Sequence, residues 1–123
     1  MHALRHVHEL LVRDGTLVDM HPVTEEQVET RRGVIGVICE PDWVTVELPN
    51  AEAALQTAIG EGLYELEAET HYDVLQHFDE AEELVDAHKD LLEEQEALER
   101  AIRAAAPPLT TRMRVVFRRL RSL

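Results

Sequence analysis

Seven histidines, one cysteine and one tryptophan are the side chains from which chemistry would be built in this 123-residue chain. His2 and His6 stand four apart within a stretch of helical spacing, a separation that can set two imidazoles on one metal ion. No third ligand accompanies them and His8 lies off that face, so no metal site is expected. His71, Asp73 and His77 share the polar side of an alternating stretch. Residues 71 and 73 are neighbours on that side, but 77 is two pleats further on, too far to share an ion. The set reads as a solvated strand face whose histidines sit near acids. Cys39 follows an apolar run and precedes Glu40-Pro41. With no basic neighbour to favour a thiolate, it is expected to pack in the core or at an edge rather than attack a substrate. Trp43 falls at the tip of an expected turn, where it packs against the hairpin or anchors a partner. No catalytic, cofactor-binding or metal-ligating residue is assigned.

Composition bounds the rest. Apolar residues make up 45% of the chain, too many for a disordered one. The length suits one domain with its own core. Acids outnumber bases 25 to 12, for a net charge of −13, which argues against nucleic-acid or anionic-membrane binding. The charge is blocked: residues 40–99 hold one base and 19 acids, whereas residues 100–123 hold seven arginines and no acid. Such blocks attract each other, within one chain or between two. A single cysteine excludes an internal disulfide and fits a reducing compartment. No apolar run reaches 18 residues, and Met1-His2-Ala3-Leu4-Arg5-His6 lacks the pattern of a signal peptide. A cytoplasmic protein is expected.

The elements that would carry these residues follow from periodicity. Leu4, Val7, Leu10 and Leu11 predict a helix over 2–13, stopped by Gly15. A short strand over 16–20 ends at His21-Pro22. Residues 27–39 and 43–48 suggest a hairpin turned by Glu40-Pro41-Asp42-Trp43, with Val34–Cys39 apolar on both sides as in an inner strand. Asn50 would cap a helix over 51–60. From 63 to 78, Tyr64, Leu66, Ala68, Thr70, Tyr72, Val74 and Phe78 alternate with Glu65, Glu67, Glu69, His71, Asp73 and His77, predicting a half-buried strand. Asp79 and Glu82 approximate a capping box for a helix running toward Ala106 and ended by Pro107-Pro108. Its seam would be Ala81, Leu84, His88, Leu91, Gln95, Leu98, Ile102 and Ala105, with a break near Glu93-Glu94 as the alternative. Residues 112–121 read as a last strand, with Met113, Val115 and Phe117 on one side and arginines on the other. Those arginines would face Glu65, Glu67 and Glu69, fixing which strands pair.

Residues 3–20, Ala-Leu-Arg-His-Val-His-Glu-Leu-Leu-Val-Arg-Asp-Gly-Thr-Leu-Val-Asp-Met, resemble a stretch in the C-terminal half of class I S-adenosylmethionine-dependent methyltransferases. There a helix ends in a Leu-Arg-Pro-Gly-Gly-like turn that feeds a strand; here the turn is Leu11-Val12-Arg13-Asp14-Gly15. The resemblance implies that the last two strands form an antiparallel pair. That family binds its cofactor through an early glycine-rich turn and a carboxylate on the ribose. Gly15, Gly33, Gly36, Gly60 and Gly62 form no such turn, so no cofactor residue is carried over and no cofactor is expected to bind the isolated chain.

The sequence thus predicts a single α+β domain over residues 1–123, a mixed or mostly antiparallel sheet with helices against it. The expected function is a non-enzymatic, methyltransferase-like remnant that self-associates as a homodimer or meets a protein partner. The alternatives are a component completing a split methyltransferase and a small-ligand-binding domain. For the homodimer, either the helical seam or a sheet edge would serve as interface.

Overall fold

Thr16–Pro22, Glu26–Thr30, Gly33–Ile38, Tyr64–Phe78 and Leu109–Ser122 form the strands β1 to β5 of a five-stranded antiparallel sheet, with helices packed against it, so the chain is α+β. The structure, a computed structural model, describes residues 2–123, with side chains from Ala3 onward. The sheet runs β1-β5-β2-β3, with β4 also paired to β5. The last strand in sequence is therefore central. Its pairing with β4 is the one the charge pattern predicts.

The chain falls into two compact units, each taken by itself. The first comprises Met1–His21, Asp42–Tyr72 and Val115–Leu123; the second comprises Pro22–Pro41 and Asp73–Arg114. In the first, helix α1 (His2–Leu10) and helix α2 (Leu48–Gly60) pack by Leu4, Leu55, Ala58 and Ile59 around Tyr64 and Leu120. In the second, the short helices α3 (Ala81–Ala87), α4 (Lys89–Leu92) and α5 (Glu96–Ala104) close over Val28 and Ile38, with Phe78 and Leu109.

Several expectations change. The hairpin joins β2 to β3 across Arg31-Arg32, not residues 27–39 to 43–48. The chain turns helical at Pro41, and Trp43–Glu47 form a π turn that leads into α2. Proline at a first helical position has its φ preset. Pro49 has no N–H to give the carbonyl four residues back, and the wide turn makes room for its ring. Asn50 therefore lies inside the helix and caps nothing. β3 is an edge strand, with Val34 and Val37 exposed, not an inner one. α1 ends at Leu10, and the positive φ falls on Asp14 (65°) rather than Gly15. Beyond Phe78 the helix is broken near Glu93-Glu94, as the alternative reading has it, and also at His88, so three helices stand where at most two are expected. Glu80, not Asp79, precedes α3 without a side-chain cap. Even so, Ala81, Leu84, Leu91, Leu98, Ile102 and Ala105 of the expected seam all pack into the second unit's core.

β5 changes phase. Leu109, Thr111 and Val115 are buried on one count of two, then Val116, Arg118, Leu120 and Ser122 on the other. Arg118, read as an outward arginine, consequently points inward.

Candidate functional site

Two inward-facing ionic clusters and one bare strand edge are the features with functional potential. In the first unit, β1 places Asp19 and His21 on one side of the strand, two residues apart. Arg118 comes from β5, Glu52 from α2 and Glu69 from β4. Arg118 Nε donates to Glu69 at 2.6 Å, Nη1 to Asp19 and Glu52 at 3.1 Å each, and Nη2 to Glu52 at 2.9 Å. His21 closes the ring, with Nδ1 3.0 Å from Asp19 and Nε2 2.8 Å from Glu52. Burial works against the Arg118 charge, but the hydrogen bonds to Glu69, Glu52 and Asp19 outweigh it and hold the guanidinium pKa above its ordinary value. Burial also pushes Glu52 upward, yet its bonds from Arg118 and His21 leave it below the usual carboxylate range.

A histidine between two carboxylates could serve acid–base chemistry. Here both ring nitrogens are committed, as are the carboxylates, so the cluster clamps β1, α2, β4 and β5 and offers no free base. A neighbouring cavity of about 280 Å3 is lined by Leu4, Leu17, Ala51 and Leu55, with Asp19 and His21 among its lining residues. Tyr64, whose pKa is raised by burial, donates its hydroxyl to the Leu4 carbonyl at 2.7 Å.

In the second unit, His88 lies with Nε2 3.0 Å from Glu26 and Nδ1 3.1 Å from the Leu84 carbonyl, its ring edge-on to Phe78. The hydrogen bond to Glu26 raises the His88 pKa and outweighs burial; the same bond lowers that of Glu26.

The residues singled out by sequence fare differently. The His2 side chain lies outside the described residues; His6 is exposed, and no group of three metal-ligating side chains exists among the described residues. His71, Asp73 and His77 stay apart on β4: His77 meets Thr110 at 3.0 Å, and Asp73 takes Arg112 at 2.9 Å and Arg114 at 3.7 Å. Cys39 is exposed just past the end of edge strand β3, its backbone N–H given to Gln95. Trp43 sits in the π turn, half-buried, instead of at a hairpin tip. Gly36 is a packing glycine, because a Cβ there would stand 2.5 Å from Leu98 Cδ1. Sequence reasoning missed the Arg118 cluster, although Asp19-x-His21 within a strand placed two polar groups on one side.

The third feature is β4. Only its first and last residues, Tyr64 and Phe78, are buried; the thirteen between are all exposed. It is not the half-buried strand that period 2 suggests. Alternation says which side chains share a face, not whether a layer covers it. Leu66, Tyr72, Val74 and Leu75 stand 39–43% exposed. Across from β5, β4 has no strand partner among the described residues. No protein-family model matches this chain, and no curated protein or solved structure does either.

Proposed function

We propose that this chain is a self-associating module whose interface is the outer edge of β4, paired with β4 of a second copy. The observation that carries this reading is the run of thirteen exposed residues on a strand with one open edge. Soluble proteins guard such edges with charge, proline or a bulge. β4 holds no proline, and its acids are already answered from β5: Glu65 by Arg121, Glu67 by Arg119, Glu69 by Arg118 and Asp73 by Arg112. These exposed pairs lower the repulsion between two copies without removing it, so the register still matters.

Placing acids opposite histidines, rather than opposite acids, selects the occupant and the register. An antiparallel pair about a two-fold axis at Tyr72 sets His71 opposite Asp73 of the other copy and Glu67 opposite its His77, each twice. Glu69 then meets Leu75. Moving the axis to residue 70 sets Glu67 against Asp73; residue 71 sets Glu69 against Asp73; residue 73 sets Asp73 against itself. Like charges directly opposite are destabilising.

Light scattering from low to high micromolar concentration tests the reading. A mass rising to twice the 14.0 kDa of the chain is expected. Tyr72→Lys, which sets two lysines opposite each other, should return the mass to that of one chain without changing the circular dichroism. Tyr72→Cys in a Cys39→Ser background should crosslink two copies on oxidation. A constant single-chain mass, or a dimer indifferent to Tyr72→Lys, overturns the proposal.

A second reading keeps the methyltransferase resemblance. It is favoured by α1 leading into β1 and by the antiparallel pairing of the last two strands, β4 and β5. On that reading the chain completes a cofactor-binding partner and binds no S-adenosylmethionine alone. Saturable micromolar binding by the isolated chain in a calorimeter would refute it.

A further inference from the structure

Between β2 and β3 the chain sets Arg31 and Arg32 side by side in a two-residue turn. The turn is held in place. Thr30 pairs with Gly33 across it, Arg32 N–H donates to Thr30 Oγ1 at 3.1 Å, and Gly33 takes a φ of 121° that favours glycine. Both arginines line a cavity of about 540 Å3. Most of the remaining wall is apolar: Ile35 of β3, Ala101 and Ala104 of α5, and Ala105 and Pro107 beyond it. No carboxylate lines it among the described residues.

The missing counter-charge stands out because acids outnumber bases two to one. Among the described residues seven of the eleven arginines hold carboxylates; Arg13, Arg31, Arg32 and Arg100 hold none, and of these four only Arg31 and Arg32 are adjacent and line this cavity. The carboxyl end of α5 contributes a partial negative charge of about half a unit, which two guanidinium groups outweigh. Guanidinium groups match the geometry of an oxyanion, and the apolar wall matches a hydrocarbon body. The volume lies in the range of small-molecule sites.

We propose that this recess binds a small organic anion. Its carboxylate or phosphate group meets Arg31 and Arg32, and its flat apolar body lies against Ile35 and the alanines of α5. The site is independent of the β4 edge and of self-association.

Titrations of the isotope-labelled chain followed by NMR test this, with 2-naphthoate, 2-naphthyl phosphate and the uncharged 2-naphthalenemethanol as probes. Saturable shifts confined to Ile35, Ala101, Ala104, Ala105 and the 30–33 turn are expected for at least one anion, and the tighter anion identifies the headgroup. The alcohol should bind roughly tenfold more weakly or worse, and the Arg31→Gln/Arg32→Gln double variant should lose at least about the same factor toward the anion. Ala104→Leu, at an exposed helical position, should fill the recess and remove binding while the remaining spectrum stays folded. Four results each overturn the proposal: equal affinity for the alcohol, shifts centred elsewhere, an unaffected double variant, or no saturation by either anion up to about 5 mM.

Discussion

Arg118 shows how much one side chain can hold. Its side chain is 9% exposed and its three carboxylate partners 27–39%. Removing one partner of a fully buried pair costs about 3–5 kcal/mol; solvent around these carboxylates lowers the expectation for Arg118→Met to about 2–3 kcal/mol in urea unfolding. Arg118→Lys should recover less than half of that, because one ammonium cannot reach three carboxylates in a fixed fork. His88 and Glu26 give the pH dependence. The raised His88 pKa supplies stability that is full below its ordinary value of 6.5 and fades as pH climbs through the folded value. The lowered Glu26 pKa supplies stability present above 4.5 that fades as pH drops through the folded value. The advantage of the native protein over His88→Gln in unfolding midpoint should therefore peak between pH 4.5 and 6.5 and shrink toward alkaline pH. A difference that stays flat from about pH 5 to 9 contradicts this.

At the scale of elements, the seam from Ala81 to Ala105 was one of two candidate interfaces, and its side chains are spent inside the second unit's core. Leu91→Glu should accordingly destabilise the fold by about 3 kcal/mol, lowering the melting temperature, rather than simply dissociate a folded dimer. What could be read in advance was periodicity. The 3-4 spacing of Ala81, Leu84, Leu91, Leu98 and Ile102 found the buried side even though the helix breaks twice. The alternation from Tyr64 to Phe78 found β4 within one residue. The opposite charges of Glu65, Glu67, Glu69 and the arginines found its partner. Three things were not legible. Val44, Val46 and Leu48 alternate as a strand would, but the segment is helical from Pro41, whose preset φ suits a first helical position, and Pro49 is tolerated through the π turn before it. The phase change at Val115-Val116 has no signature in residue types, so Arg118 and its cluster stayed hidden. The exposure of both faces of β4 depends on what the rest of the chain covers, which local pattern does not encode.

For the molecule as a whole, β5 carries the sheet. It pairs with β1, β2 and β4, and of the remaining contacts only β2–β3 forms without it. Deleting residues 109–122 should leave little strand signal in circular dichroism beyond one hairpin, whereas Val34→Thr on the outer strand β3 should leave the sheet intact. The order of synthesis then sets the order of folding. A chain made from its amino end can form the β2–β3 hairpin and short helices early, but β1 and β4 wait, unpaired, for a strand that comes after them both. During that interval the bare length of β4 lacks even the arginines that later answer its acids, and those unmatched negative charges keep nascent copies from pairing before the central strand arrives.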